Sequence, residues 1–252
     1  MSTKIALVTG GSRGLGKDMA ISLAKKKIDV IITYRTKEEE ANDVVMQIEG
    51  LGQKAAALSL DMSDFNSIDP FIKRLLDTLQ ARWNTASFDF LINNAGMGAT
   101  VPYEQVTEEL FDEFMNVHFK GIYFLTQRCL PNINTGGSII NISTGTTRFT
   151  NPGYSVYASM KGGIEVFTKY LAKELGPKGI RANVVAPGPV ETDFNKAAIR
   201  NNTQMKERLS SLSPLGRVGK AEDIGGVVAF LCTDDAYWIN GQRIEVSGGI
   251  NG

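Results

Sequence analysis

The stretch Ile5-Ala6-Leu7-Val8-Thr9-Gly10-Gly11-Ser12-Arg13-Gly14-Leu15-Gly16 joins a short apolar run to a turn rich in glycine. An apolar run of this length that glycines close is typical of a buried strand. Helical periodicity then continues to about Lys27, so we predict a strand, a tight turn and a helix. Glycines at such a turn let backbone N–H groups approach a phosphate at the start of a helix. The stretch therefore favours an α/β fold with a phosphate-binding turn after its first strand.

The rest of the chain repeats this alternation of apolar runs and amphipathic segments. We predict further strands at 29–34, 55–60, 88–93, 138–143, 181–186 and 242–246. Helices are predicted between them, at 37–50, after Asp64, at about 107–130, from about 157 to 175 and at 222–232. Strands that alternate with helices form a parallel sheet covered on both faces. We predict a single doubly wound, Rossmann-type domain over 1–252 with a seven-stranded parallel sheet.

Charge and composition exclude several classes of protein. Lys and Arg together number 27, as do Asp and Glu, so the chain offers no basic surface for nucleic acid or for an anionic membrane. No apolar run approaches the roughly 20 residues of a membrane span. The N-terminus shows no signal-peptide pattern, and Cys129 and Cys232 lie far apart without a metal-binding spacing. We expect a cytoplasmic protein with reduced cysteines, no metal, and no nucleic-acid or membrane partner.

The glycine turn leaves two classes of ligand open. The dinucleotide spacing GxGxxG is absent, and the turn is one residue short of the nucleoside-triphosphate loop GxxxxGK[ST]. Gly11, Gly16 and Lys17 fit that loop, but Asp18 stands where a hydroxyl has to bind Mg²⁺. A carboxylate there would also repel the phosphates. A triphosphatase is therefore only the rival prediction.

The end of the second predicted strand favours a phosphorylated dinucleotide. The strand ends in Thr33-Tyr34-Arg35-Thr36, and the first acidic residue after it is Glu38. No acid therefore stands at the strand end to bind the ribose hydroxyls of NAD. Arg35, helped by Arg13, could instead hold the 2′-phosphate of NADP(H) by charge-assisted hydrogen bonds. Taken alone, each arginine would be interpreted as an ordinary solvent-exposed surface residue. Their joint placement predicts NADP(H), with NAD(H) still possible.

A tyrosine and a lysine lie four residues apart at the start of a predicted helix. Tyr157 and Lys161 should therefore face the same way. A neighbouring cation lowers the pKa of a phenol from about 10 towards the range useful to a general acid or base. The pair predicts a proton-transfer site, although such a pair can also form an ordinary exposed face. His118 is the sole histidine, which leaves out a Ser-His-Asp triad, and we expect it to pack on the long helix.

Six motifs follow one another at predicted strand or helix ends. They are Thr9–Gly16 (TGxxxGxG), Asp61-Met62, Asn93-Asn94-Ala95-Gly96, Tyr157–Lys161 (YxxxK), the segment Pro187–Thr192 and Gly248-Gly249. Over essentially its whole length the chain resembles the classical short-chain dehydrogenase/reductase (SDR) family. The resemblance implies cofactor contacts by Gly10, Ser12, Arg13, Gly14, Leu15, Gly16, Arg35, Asp61, Met62, Asn93, Ala95, Gly96, Tyr157, Lys161, Pro187, Gly188, Val190 and Thr192.

The same resemblance implies the catalytic roles. Tyr157 would donate a proton, Lys161 would hold the nicotinamide ribose and lower the pKa of the tyrosine, and Asn116 would order a water next to Lys161. The family usually has a serine thirteen residues before the tyrosine. Here that position is Thr144, with Ser143 as the alternative if the register differs by one. A threonine hydroxyl can donate the same hydrogen bond, but its methyl group stiffens χ1.

The resemblance also sets the expectations for activity and assembly. It implies an NADP(H)-dependent oxidoreductase that reduces a ketone or oxidises a secondary alcohol, with a β-ketoacyl carrier-protein reductase as the first choice. A sugar or other secondary-alcohol dehydrogenase, or a dinucleotide-binding sensor of low turnover, are alternatives. Residues 190–212 form a predicted substrate lid. Family members are typically homotetramers, so a homotetramer or homodimer is expected, and Tyr237 and Trp238 are predicted as core or subunit-contact residues.

Overall fold

The computed structural model describes residues 3–250, apart from the side chain of Lys196; the two outermost residues at each end of the predicted domain lie outside this range. Within it, seven parallel strands form one sheet in the order β3-β2-β1-β4-β5-β6-β7. The strands are β1 Ile5–Val8, β2 Asp29–Tyr34, β3 Ala55–Ser59, β4 Phe88–Asn93, β5 Ile133–Ile142, β6 Arg181–Pro187 and β7 Arg243–Val246. The predicted doubly wound α/β sheet is therefore confirmed.

The helices of the described residues cover both faces of this sheet. They are α1 Gly14–Lys25, α2 Glu38–Gly50, α3 Ile68–Trp83, α4 Glu108–Met115, α5 Gly121–Cys129, α6 Ser155–Leu175, α7 Phe194–Ala197, α8 Thr203–Ser211 and α9 Ala221–Leu231. Alternate strand residues feed two hydrophobic clusters, one under α1, α2 and α9 and the other under α3, α5 and α6. No helix in the described part of the chain is long and apolar enough to cross a membrane.

The strand order creates a crevice between β1 and β4. The chain moves outward in one direction from β1 to β3 and then in the other direction from β4 to β7. Loops that leave the carboxyl ends of β1 and β4 therefore separate, and ligands of open α/β sheets bind in the crevice that results. The glycine turn and Asn94-Ala95-Gly96 both lie at this point.

One predicted helix is wrong in its continuity. The helix expected over 107–130 is interrupted by a π-turn, Asn116–Lys120, between α4 and α5. The Gly121 amide donates to the Asn116 carbonyl five residues earlier, and a Cβ on Gly121 would lie 2.7 Å from that oxygen. The absent side chain permits the wider turn, which apolar periodicity does not reveal.

Strand β5 is longer than predicted at its start and ends one residue earlier. It begins at Ile133 instead of Ser138, and its pairing with β4 is irregular between Phe88 and Phe90. Its last residue is Ile142, so Ser143 and Thr144 are the first two residues beyond the sheet. The two candidate catalytic hydroxyls, of Ser143 and Thr144, therefore both lie just after the strand, and their contacts differ.

Candidate active site

Hydrogen bonds join the glycine turn to the loop after β4. The Thr9 hydroxyl accepts from the amides of Asn94 (2.9 Å) and Ala95 (3.0 Å). The Asn94 side-chain amide donates back to the Thr9 carbonyl at 2.9 Å. Gly16 packs so closely that a Cβ there would lie 2.1 Å from the Gly10 carbonyl oxygen. The two loops at the crevice therefore form one rigid platform.

The arginines predicted to read the cofactor lie at the same edge. Arg13 immediately precedes α1 and Arg35 immediately follows β2, and both are exposed. Neither side chain makes a hydrogen bond or ion pair with another described residue. Thr192, after β6, approaches the glycine turn, with its Cβ 3.8 Å from where a Cβ of Gly14 would lie. Two unpaired cations beside the N–H groups at a helix start fit the phosphates of a dinucleotide.

The predicted cofactor residues Asp61, Met62 and Asn93 differ in how accessible their side chains are. The Asp61 carboxylate is half-buried and accepts from the amide (2.9 Å) and hydroxyl (2.6 Å) of Ser63. Met62 is 5% exposed and belongs to the core. Asn93 is fully buried, and its amide donates to the Thr126 hydroxyl at 3.0 Å. Burial leaves the main chains of Met62 and Asn93 as the parts that could contact a cofactor, and their cofactor roles stay predictions.

The remaining predicted cofactor residues lie at the same edge of the sheet. They belong to the turn after β1, the loop after β4 and the end of β6 with its following loop: Ser12, Leu15, Gly96, Pro187, Gly188 and Val190. All predicted cofactor positions are thus brought to the crevice side of the molecule, as parallel strands require.

The structure places Thr144 beside Tyr157. Tyr157 lies in the first turn of α6, and its phenol is within hydrogen-bonding reach of the Thr144 side chain. Ser143 is 3% exposed and donates its hydroxyl to Glu165 Oε1 at 2.6 Å. The serine is thus held away from the tyrosine by an acid on the same helix, and the threonine is the hydroxyl that faces it.

A polar network fixes the loop that carries Thr144. The guanidinium of Arg243, on β7, donates to the Thr144 carbonyl at 3.1 Å and to Glu165 at 2.8 Å. The Thr147 hydroxyl donates to the same carboxylate at 2.7 Å. Because Arg243 and Glu165 are both largely buried, their ion pair is better protected from solvent than a surface pair.

Lys161 is buried beneath Tyr157. It is 2% exposed, and its ammonium donates to the Ile142 carbonyl at 2.7 Å and lies 5.8 Å from the centre of the Tyr157 ring. Burial lowers the pKa of Lys161 to about 8. An ammonium held in this way still carries its charge at neutral pH.

The predicted lowering of the tyrosine pKa is wrong for this structure. Burial raises the pKa of Tyr157 above its ordinary value of 10. The Thr144 hydrogen bond lowers it, and Tyr154 raises it further. Desolvation disfavours the phenolate more than these surroundings favour it. Tyr157 therefore keeps its proton at neutral pH, which is the form that a proton donor needs.

His118 comes closer to the tyrosine than the predicted Asn116. Asn116 opens the π-turn, and no described contact joins its side chain to Tyr157 or Lys161. Two residues later, His118 is fully buried, with its ring centre 5.1 Å from that of Tyr157. The role predicted for Asn116 stays a prediction; the family resemblance implies a local distortion of the helix at this asparagine, but it did not indicate that His118 turns inward.

The predicted lid lies over this site. Phe194, in α7, has its ring centre 5.9 Å from that of Tyr157. The Asn195 side chain donates to the Thr100 hydroxyl at 3.1 Å and to the Tyr154 hydroxyl at 3.2 Å. These bonds connect the segment after β6 to the loop after β4 and to the start of α6. These two hydrogen bonds of Asn195 were not predicted, because the sequence around Asn195 gives no sign that Thr100 and Tyr154 lie next to it.

A cavity of about 500 Å³ opens beside the first turn of α6. Its walls include Tyr103, Pro152, Tyr154 and Ala158, and Glu104 is the one charged residue among those that line it. Thr146, which also lines the cavity, donates its hydroxyl to Thr144 at 3.3 Å. Tyr157 is not a lining residue, so the cavity reaches the candidate proton-transfer group only through Thr146 and the neighbouring residues of α6, and its walls apart from Glu104 are apolar or neutral.

We expect Thr144→Val to lower kcat about a hundredfold, because it removes a hydrogen-bond donor at the reacting oxygen. Thr144→Ser keeps the hydroxyl and should stay within about fivefold of wild type, since a lost methyl costs little. Ser143→Ala removes a hydroxyl committed to Glu165 and should cost less than Thr144→Val. Steady-state kinetics of the three variants check this, and a larger loss in Ser143→Ala would reverse the assignment.

The comparisons with known proteins agree with this geometry. A family model described as enoyl-(acyl carrier protein) reductase matches residues 10–251. The tetrahydroxynaphthalene reductase PfmaG of Pestalotiopsis fici is 34% identical over 98% of this chain and 91% of its own. The chain belongs to the short-chain dehydrogenase/reductase family. The predicted family is thereby confirmed, and with it an oxidoreductase that acts on carbonyl or alcohol groups.

Two further SDR proteins are similar over nearly their whole lengths. The 3-oxoacyl-[acyl-carrier-protein] reductase of Staphylococcus aureus is 34% identical over 98% of each chain. The angucycline C-6 ketoreductase LanV, solved with bound NADP, is 36% identical, with a TM-score of 0.94 over 99% of this chain and 96% of LanV. The two relatives differ in substrate, so their likeness supports the type of chemistry more than any one ketone.

Proposed function

We propose that this SDR protein reduces a ketone to a secondary alcohol with NADPH and uses Tyr157 as the proton donor. The observation that carries the proposal is the convergence of Tyr157, Thr144 and Lys161 on the side of the sheet where the glycine turn lies. When bound, NADPH supplies a hydride from C4 of its nicotinamide. The geometry argues against a sensor of low turnover, because a protein that only binds a dinucleotide does not need this arrangement.

Side chains of the protein donate the proton and stabilise the charges that its transfer creates. The carbonyl oxygen of the ketone gains negative charge as its carbon is reduced, and the Tyr157 hydroxyl transfers its proton to that oxygen. Thr144 donates a hydrogen bond to the same oxygen and fixes its position. The Lys161 ammonium stabilises the phenolate left behind, since an opposite charge nearby favours the ionised form. The proton returns to Tyr157 from solvent before the next turnover.

Arg35 and Arg13 would hold the 2′-phosphate of the cofactor. Both guanidiniums are exposed and unpaired among the described residues, which is the state of a cation that awaits an anion. The bound NADP of LanV supports the same choice here. Thr192, beside the glycine turn, would meet the nicotinamide amide, and Lys161 the ribose. NAD(H) is the alternative cofactor.

Removal of Arg35 should weaken NADPH selectively. We expect Arg35→Ala to raise the Kd of NADPH about ten- to a hundredfold, as the loss of a charge-assisted hydrogen bond costs about 1.5 to 3 kcal/mol. The Kd of NADH should change less than about twofold, because NADH lacks the phosphate. Titration of tryptophan fluorescence measures both. Lys37→Ala, which removes an exposed charge two residues later, is the control, and equal loss in both variants would contradict a specific contact.

The cavity favours a neutral cyclic ketone as substrate. No lysine or arginine is among its lining residues, and a cavity walled by tyrosine, proline and alanine suits an apolar ring. The names of the Pestalotiopsis relative and of LanV, a naphthalene and an angucycline reductase, point the same way. The carrier-protein thioester predicted from the sequence is the second candidate, and the Staphylococcus relative favours it.

A panel of ketones with NADPH separates the two candidates. The panel contains a bicyclic aryl ketone such as 1-tetralone, a short 3-oxoacyl thioester and a ketose. We expect the highest kcat/KM for the aryl ketone. A preference of tenfold or more for the thioester, which corresponds to about 1.4 kcal/mol, would instead establish the carrier-protein assignment.

We further propose that the protein works in the cytoplasm as a homotetramer or homodimer. Aromatic side chains remain exposed on α5 and α6, among them Tyr123 (39%) and Tyr170 (63%). Trp238 is 99% exposed and Tyr237 59%, so they are not core residues, and their exposure supports a role in a subunit contact. Light scattering of the purified protein measures the mass in solution, and a monomer at micromolar concentration would contradict this proposal.

A further inference from the structure

His118 is the one histidine of the chain, and it points inward from the π-turn. Its ring is fully buried and meets the ring of Tyr157 edge to face, with 5.1 Å between centres and 84° between planes. The ring of Phe114 lies 5.3 Å away on α4. His118 therefore packs directly on the side chain that donates the proton in the proposed reaction.

The surroundings of His118 define its protonation. Its Nε2 lies 2.8 Å from the Met97 carbonyl oxygen and 3.3 Å from the Met97 amide nitrogen; the shorter contact is to an oxygen that can only accept, which favours a hydrogen on Nε2. Burial, together with the charge of Lys161, lowers the pKa of His118 well below its ordinary 6.5. The ring is neutral at physiological pH, and its Nδ1 keeps a free lone pair.

The lone pair of Nδ1 has no partner among the described residues, although the atom is buried. It faces Gly96, where a Cβ would lie 3.4 Å from Nδ1 and 2.9 Å from Cε1. An unsatisfied buried acceptor is destabilising, so it calls for a donor. The Lys161 ammonium can supply such a donor, because it uses only one of its three hydrogens in the bond to the Ile142 carbonyl. The ammonium and the His118 ring centre both lie within 6 Å of the Tyr157 ring centre.

We propose that His118 is a positioning residue for proton transfer by Tyr157, with its ring packed against the phenol and its Nδ1 accepting a hydrogen bond from a water that also binds the Lys161 ammonium. The acceptor stabilises the charge on Lys161, and that charge stabilises the phenolate formed when Tyr157 gives up its proton. The inference rests on the proposed ketone reduction. It assigns to His118 a link through water to Lys161, a role that was predicted for Asn116.

Two nearly isosteric variants separate the acceptor from the shape of the side chain. His118→Asn keeps a hydrogen-bond acceptor, whereas His118→Leu has none. We expect the leucine variant to lower kcat about ten- to a hundredfold with the KM for NADPH within about twofold, and the asparagine variant to stay within about fivefold of wild type. Equal losses in both variants, or no loss in either, would overturn the proposal.

The pH profile of kcat tests the hydrogen-bond role separately, because a purely structural role of the His118 side chain in packing would not shift this profile. The titratable groups that face His118 are Tyr157 and Lys161, both on α6; the Gly96-Met97 segment and Phe114 contribute none. Loss of the acceptor disfavours the charged ammonium, so the pKa of Lys161 falls. The alkaline limb of the leucine variant should therefore lie at least about half a pH unit below that of the asparagine variant. Coincident profiles would contradict the inference.

The single histidine permits a test that needs no substrate. With ¹⁵N-labelled histidine, NMR of the wild-type protein should show one neutral ring protonated at Nε2, unchanged between pH 8 and 6. A ring that is protonated at Nδ1, or that titrates near its ordinary 6.5, would overturn the proposal whether or not a ketone is turned over. Absent turnover in wild type would count against the proposed function instead, so the two failures remain distinct.

Discussion

Tyr157→Phe is expected to lower kcat by about a thousandfold or more, while the Kd of NADPH changes less than about fivefold. General acid catalysis contributes about 10² to 10⁴ in rate, and phenylalanine removes the donated proton without removing the ring. The ring contacts with His118 and Phe194 do not depend on the hydroxyl, so the fold and the lid should be unchanged. Stopped-flow or steady-state assay of NADPH consumption, beside fluorescence titration, gives both quantities.

Tyr154→Phe is the matched control for this result. Tyr154 lies three residues earlier on the same side, with its ring centre 6.3 Å from that of Tyr157, and its hydroxyl accepts from Asn195. Its loss should lower kcat less than about tenfold, since a neutral hydrogen bond is worth about 1 kcal/mol. If the two variants lose activity equally, the proton donor has been assigned to the wrong residue.

Lys161→Met is expected to abolish turnover and yet to stabilise the fold. A lysine whose pKa falls from 10.5 to about 8 on folding destabilises the native state by about 3 kcal/mol at pH 7. Methionine fills similar space without a charge but loses the bond to the Ile142 carbonyl, so a net gain of about 1 to 3 kcal/mol is expected in urea unfolding. Lys169→Met, at an exposed position of α6, should change the free energy of unfolding by less than about 0.5 kcal/mol.

The pH dependence of this gain has a definite sign. Between pH 8 and 10.5 the unfolded chain binds the proton that the folded chain has released, so wild-type stability attributable to Lys161 rises with pH. The advantage of Lys161→Met should therefore be largest below pH 8 and shrink as the pH approaches 10.5. A variant that is less stable than wild type at pH 7 would show that the buried ammonium is better compensated than its surroundings indicate.

The sheet was predictable because its signals are local. Apolar runs such as Asp29–Tyr34 and Phe88–Asn93 are buried along almost their whole length, so their bounds were predicted to the residue. The motif residues lie at strand ends, and parallel strands bring those ends together without further information. The platform between the glycine turn and Asn94 follows from this topology.

The details of the site depended on contacts between residues distant in sequence. The choice of Thr144 over Ser143 depends on Glu165, which takes the serine hydroxyl from 22 residues away. The place of His118 depends on a π-turn that Gly121 permits, and helical periodicity carries no sign of it. The pKa of Tyr157 was predicted from its neighbour Lys161 alone, but burial of the phenol outweighs that neighbour.

Transfer of a labelled hydrogen tests the central claim most directly. The wild-type protein is given the ketone panel with NADPH that carries deuterium at one or the other face of C4, and the alcohol is examined by mass spectrometry. We expect deuterium on the carbinol carbon from one labelled form and not from the other, and at least about a thousandfold less product with Tyr157→Phe. Alcohol without deuterium from both forms, or no alcohol from any ketone although NADPH binds, would contradict the account.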